Sequence, residues 1–144
     1  MKTTSDTVSV SLDVSIKDIQ DTLCSAFEGG SNYWYRIEEF IKPTEFTHYS
    51  FGKPEEGKEP EIFRHIDYPT NPGGALIVSD YFGAEEDEEG MTKARLDLES
   101  IKKGITVMAN LYPYHFKNMI AENGDAETGD VLLQCCVFGK LVYG

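Results

Sequence analysis

Three aromatic residues in a row, Tyr33-Trp34-Tyr35, followed at once by Arg36, are the side chains of this sequence best suited to grip a ligand. A flat ring such as a nucleobase stacks on an aromatic face with about 1–3 kcal/mol per base. A guanidinium forks onto a phosphate or carboxylate. On a strand Tyr33 and Tyr35 share one face and Trp34 takes the other, so packing in a core or on a sheet surface competes with stacking for the same rings. Arg64, His65 and Asp67 form a second group. On a strand Arg64 shares a face with Ile66, and His65 with Asp67; the imidazole and carboxylate then form a satisfied pair, a proton donor or an exposed couple. Glu28, with Asp125, Glu127 and Asp130, brings acids to helix ends, where capping and the helix dipole already favour them.

Other chemistries are poorly provided for. There is no Gly-x-Ser-x-Gly, no His-Glu-x-x-His and no phosphate-loop lysine. His48, His65 and His115 lack close ligand spacing, and no cysteine pair sits at zinc spacing, so neither metal nor cofactor is expected. Cys135 and Cys136 lie in the most apolar segment, where a thiolate is disfavoured. Three cysteines, two of them adjacent, do not make a disulfide framework, and a reducing, cytoplasmic setting follows as the expectation. The formal charge of −12 argues against direct nucleic-acid binding, which needs clustered Lys and Arg. It leaves open a DNA mimic or a binder of basic protein surfaces. Much of that charge sits in Glu85-Glu86-Asp87-Glu88-Glu89, read as a solvated loop. No apolar stretch reaches membrane-spanning length, and Met1 to Asp6 lacks the apolar region of a signal peptide.

These residues must be positioned by elements that the hydropathy pattern outlines. Val8, Val10, Leu12 and Val14 alternate with Ser9, Ser11 and Asp13, which predicts a half-buried strand. Ser15 caps a helix over residues 16–28, with Ile16, Ile19, Leu23 and Phe27 inward. Gly29-Gly30 ends it, one glycine taking the left-handed cap. These glycines follow a helix rather than precede one, so they are no phosphate cradle; the carbonyls there suit a cation, an amine or a sugar hydroxyl. Residues 32–41 read as a strand, 43–60 as a loop partly packed through Phe46, Tyr49 and Phe51, and 61–68 as a short strand. Pro69 to Gly74 is a turn, Ala75 to Ser79 a buried strand, and residues 93–98 another strand. Asp97 or Glu99 starts a second helix, Pro113 a third ending at Asn123-Gly124, and Asp125 or Thr128 a last one. That last helix is apolar nearly all round, which predicts a central buried position. The sum is a single α+β domain over residues 1–144: a largely antiparallel sheet of about five strands with helices packed on one face.

The chain resembles a family of small, uncharacterised proteins carried by bacteriophages and prophages. The carrying stretches are Ala26-Phe27-Glu28-Gly29-Gly30 with Asn32-Tyr33-Trp34, and Arg64-His65-Ile66-Asp67-Tyr68-Pro69 with Gly73-Gly74-Ala75-Leu76. To these add Asp125-Ala126-Glu127-Thr128-Gly129-Asp130 leading to Gln134-Cys135-Cys136-Val137-Phe138-Gly139 and Val142-Tyr143-Gly144. Together they make up under a quarter of the chain, spread from residue 26 to residue 144. The resemblance implies a setting, a bacterial cytoplasm during infection, in which small phage proteins often inhibit host defence.

Residues and setting together lead to a non-enzymatic protein that sequesters a small anionic, ring-containing ligand, such as a nucleotide-type immune signal of the host. Tyr33, Trp34 or Tyr35 would stack on the ring, Arg36 or Arg64 would meet the charge, and His65, Asp67 and Glu28 would orient the ligand. A homo-oligomer is compatible with this. Two alternatives stand beside it. One is an acidic inhibitor or DNA mimic that blocks a host defence enzyme. The other is a small hydrolase or lyase using His65 with an acid, since acid–base pairs need no linear motif.

Overall fold

The computed structural model describes residues 6–50, 55–58, 64–81 and 93–144. Ser15 accepts the amide of Asp18 at 3.1 Å and opens helix α1, Ile16–Ser25. Its inner face buries Ile19, Gln20, Thr22 and Leu23, following the three- and four-residue spacing of the sequence. The helix then widens into a π-helical turn, Ala26–Gly30, which buries Ala26 and Phe27. The expected left-handed glycine cap is not formed: neither Gly29 nor Gly30 has such a φ. The glycines matter for closeness instead. A Cβ on Gly30 would run into the carbonyl oxygen of Ala126. One on Gly129 would meet the Thr22 oxygen at 2.6 Å and the Ala26 nitrogen at 2.8 Å. Bare backbone is what lets α1 and the last helix touch.

Three strands form one antiparallel sheet in the order β1 (Tyr35–Ile41), β2 (Ala75–Asp80), β3 (Lys93–Leu96). Ile37 opposes Val78, Phe40 opposes Leu76 and Leu96 opposes Leu76, so these side chains share the face turned to the helices. Arg36, Ser79, Ile77 and Arg95 take the other face. The register slips between Ile37 and Glu39, a bulge in β1.

Among the described residues there are three strands, not about five. Residues 8–14 are irregular, exposed up to Asp13 with Val14 half-buried against the core, and no strand among the described residues lies beside them to take up their backbone groups. Of the expected strand 61–68, residues 61–63 lie outside the described residues, and His65–Asp67 form a 3-10 turn. Asp67 causes that turn. Its buried carboxylate takes the amide of Arg64 at 3.2 Å and, from the preceding loop, the amide and hydroxyl of Ser50 at 3.0 and 2.9 Å. Asn71 pins the same loop, accepting the amides of Thr47 and His48 at 2.8 Å each. Phe46 and Tyr49 stack within it, centroids 6.2 Å apart. Phe51 and the acidic run Glu85 to Glu89 lie outside the described residues.

The second half is helical. Asp97 and Ser100 cap each other's amides at the start of α2, Leu98–Leu111. Proline opens α3, Pro113–Ile120. Asp125 accepts the amide of Thr128 at 3.0 Å and starts α4, Ala126–Phe138. Residues 128–135 of α4 are all buried, and α4 packs on α1, α2, α3 and β3, which makes it the central helix. The fold is α+β, with one buried cluster that draws on every helix and the sheet. Among the described residues no helix is long and apolar enough to cross a membrane.

Candidate functional site

Asp130, in the second turn of α4, gathers the first aromatic group around a buried carboxylate. One oxygen, Oδ1, accepts the Ser31 hydroxyl at 2.6 Å and Trp34 Nε1 at 2.7 Å. The other, Oδ2, accepts the Tyr33 hydroxyl at 2.6 Å and Gln134 Nε2 at 3.0 Å. The donors are all neutral, and three of the four bonds are 2.6–2.7 Å long. Gln134 continues the cluster: its Oε1 accepts the amides of Val142 and Tyr143 at 2.8 Å each, and its Nε2 reaches the Tyr143 carbonyl at 3.1 Å. The side-chain amide thus pairs with the C-terminal segment as a strand's backbone would. Tyr143 in turn donates to Asp80 Oδ2 at 2.6 Å. Burial of its hydroxyl and the Asp80 carboxylate push the Tyr143 pKa up to about 12. Burial and the bond to Asp130 raise that of Tyr33 as well.

The predicted ligand-binding rings serve mostly to hold the fold. Trp34 has no exposed surface; its ring lies against Phe138 at 5.0 Å and Tyr143 at 6.2 Å. No face of it is open for stacking. Tyr33 is 42% exposed, yet its hydroxyl is spent on Asp130 and its ring meets Tyr143 edge-on at 6.1 Å. Tyr35 donates to the Phe27 carbonyl at 2.9 Å. Arg36 lies on the opposite sheet face, with Nη2 2.8 Å from Glu38 Oε1. Ser79 donates to the same oxygen at 2.7 Å; with Arg36, it holds the Glu38 carboxyl below its ordinary range. Tyr33, Trp34, Tyr35 and Arg36 therefore do not surround one hollow.

The second group does border a hollow. A cavity of about 200 Å³ opens between α1 with its π turn, which supply Cys24, Phe27 and Glu28, and the 3-10 turn, which supplies Arg64, His65 and Ile66. Arg64 Nη1 lies 3.9 Å from Glu28 Oε1 and 3.8 Å from Cys24 Sγ. The Phe27 and His65 rings meet edge-on at 5.7 Å. Tyr35 backs this wall, its ring 5.4 Å from Phe27, and Phe40 flanks His65 at 5.4 Å. Partial burial lowers the His65 pKa, which favours the neutral imidazole at pH 7. Burial raises that of Cys24, with Arg64 drawing it only partly back. A protonated thiol is a poor nucleophile. Asp67 takes no part: its oxygens are committed to Ser50 and Arg64, and the turn parts it from the His65 partnership that a strand would give.

Of the eight predicted residues, the cavity wall thus takes Glu28, Arg64 and His65, with Tyr35 behind it. The sequence reading missed Cys24 and Phe27 as partners of that wall. Their signal was present, since Cys24, Phe27 and Glu28 fall three and four residues apart on one helical face. No family model, curated protein or solved structure matches the chain. The acids expected to gather at helix ends do not: Asp125 caps α4, Asp130 serves the aromatic cluster, Glu28 flanks the cavity, and Glu127 lies 3.8 Å from His115 Nε2. A smaller hollow of about 130 Å³, lined by Asp18, Asp21, Thr22, Ser25, Met119, Glu122 and Gly124, offers neither a ring nor a cation. Among the described residues no three His, Cys, Asp or Glu side chains gather as a metal site.

Proposed function

We propose that this chain is a non-enzymatic binding protein that captures a small anionic, ring-containing ligand at the Arg64 cavity. The observation that carries the reading is the meeting, in one open hollow, of a guanidinium with the edges of Phe27 and His65. Its volume is below the roughly 300–1,000 Å³ of pockets that enclose a drug-sized molecule. It suits one end of a ligand, a ring with its adjoining phosphate or carboxylate. Arg64 meets the charge through a fork of donors, neutral His65 donates or accepts one hydrogen bond, and Glu28 takes a hydroxyl or amine. The phage resemblance adds a role: removal of a nucleotide-type defence signal from the host cytoplasm. A binder needs no activated group, and the raised pKa of Cys24 agrees with that.

A metabolite extract passed over the protein, followed by mass spectrometry of what is retained, tests the reading. The expected result is an anionic ring compound held unchanged and lost with Arg64→Ala. Conversion of the compound would favour a hydrolase or lyase using His65. The charge of −12 favours a second reading, an acidic inhibitor or mimic that covers a basic defence enzyme. Under it, neutralising Glu85 to Glu89 abolishes function and Arg64→Ala leaves it intact.

A further inference from the structure

Residues 8–14, Val-Ser-Val-Ser-Leu-Asp-Val, alternate as a strand does, yet they lie as an irregular arm ahead of α1 with Val8 86% and Val10 88% exposed. Such a two-faced segment gains its stability only beside a sheet edge, where its backbone groups pair and its apolar side chains share a covered face. An edge of this kind exists in the same chain. Among the described residues β1 pairs with β2 alone, so one row of its backbone groups has no strand partner among them. The apolar layer on the helix side is also unfinished there. Leu76 and Val78 of β2 and Leu96 of β3 are fully buried, whereas Tyr35 and Ile37 of β1 are half-buried and Phe40 is 47% exposed.

We propose that Val8 to Asp13 of one copy adds as a strand along the outer edge of β1 in a second copy, and that the exchange is reciprocal. The exposed arm has six residues against the seven of β1, and Val14, half-buried against the core of its own copy, anchors its base. With Val8, Val10 and Leu12 turned to the helix side, the arm extends the row Tyr35, Ile37, Phe40. The charged Arg36 and Glu38, on the outer face, then lie beside Ser9, Ser11 and Asp13. The bulge between Ile37 and Glu39 bends this edge, a feature that discourages pairing with unrelated strands. The arm leads directly into α1, which packs on α4, α3 and the two turns, so it departs from the helical layer of its own copy. Donor and acceptor on one chain form a self-complementary pair, which a two-fold axis closes into a dimer with every arm and every β1 edge used. The four-residue β3, at the other edge, is too short to seat the whole arm.

Sedimentation velocity of the full chain against the triple variant Val8→Asp, Val10→Asp, Leu12→Asp decides the matter. These side chains are exposed, so the variant folds, with helical circular dichroism and melting of the monomer retained. The expected result is a two-fold drop in mass, from dimer to monomer. Phe40→Asp, on the acceptor edge, should give the same drop. Amide exchange should be slowed over residues 8–13 of the unaltered protein in step with its dimer fraction. A wild-type chain that stays monomeric at high micromolar concentration, or a dimer that persists in the triple variant, overturns the proposal. So does protection of the arm at dilutions where only monomer is present.

Discussion

Within ten residues, 27 to 36, the chain supplies two regions built from the same residue types and different in kind. Around Asp130, one carboxylate holds four neutral donors at 2.6–3.0 Å, and the rings of Trp34, Tyr143 and Phe138 close over one another. Around Arg64, the Glu28 carboxylate is at 3.9 Å, the Cys24 thiol at 3.8 Å, and the rings of Phe27 and His65 present their edges to a hollow. The first arrangement leaves a ligand nothing to gain, because each polar atom is already bonded and desolvated. The second includes a long contact to the exposed Glu28 that an anion can replace with a shorter one at small cost. Aromatic content alone does not distinguish scaffold from site; the strength of existing bonds does.

The largest expected effect comes from opening the closed region. Asp130→Ala leaves the Trp34, Ser31, Tyr33 and Gln134 donors without their acceptor and should cost about 3–5 kcal/mol in urea unfolding. Asp130→Asn keeps the shape but turns a donor toward Tyr33 and Gln134, and should cost less. A stability unchanged in both would remove the distinction drawn here. Trp34→Ala empties a fully buried site at a similar cost of about 3–5 kcal/mol, so any loss of binding in it reports unfolding and not contact. Next comes Gln134→Leu, which frees the amides of Val142 and Tyr143 and should cost about 2 kcal/mol, seen also as faster amide exchange at those two positions.

At the open region the order reverses. Arg64→Ala should change stability by under about 1 kcal/mol, since its pair with Glu28 is exposed, while ligand retention falls at least about tenfold. A large stability loss there would make the cavity scaffold too. The smallest effects are those of pH. Tyr143 keeps its proton to about 12 in the fold and to about 10 in the unfolded chain. Its contribution is thus whole below about pH 10 and lost as pH climbs through the folded value. Tyr143→Phe should lessen the fall of stability in that alkaline window, measured by thermal melts with tyrosinate absorbance. His65 has the opposite sign of shift: its folded value is lowered, so its contribution is whole above about pH 6.5 and lost on acidification.

Local signals of the fold were readable and partner choice was not. Ser15, Asp97, Pro113 and Asp125 marked helix starts because capping is decided within three or four residues. The α+β class and the central place of α4 followed from composition and periodicity. Alternation at residues 8–14 says that a segment has two faces, not that a neighbour exists for it, and the strand count fell from about five to three among the described residues. Residues 64–68 have the composition of a strand, but Asp67 turns them by binding Arg64 and a loop 17 residues earlier. The fate of Trp34 depended on an acid 96 positions away. At the candidate site, Arg64, His65 and Glu28 were legible as chemistry, while the helix face that joins Cys24 and Phe27 to them was read only as packing.

The placement of the sole tryptophan gives the experimenter an optical channel for folding that is separate from binding. Its indole is sealed beside a carboxylate and does not line the hollow. Its emission will therefore follow the integrity of the α4 end and shift to the red when that end is wetted, while a ligand entering beside Arg64 leaves the spectrum as it was. Titrations at the hollow need a reporter of their own, and a quenched or shifted signal on adding a compound is a warning that the compound is denaturing the protein.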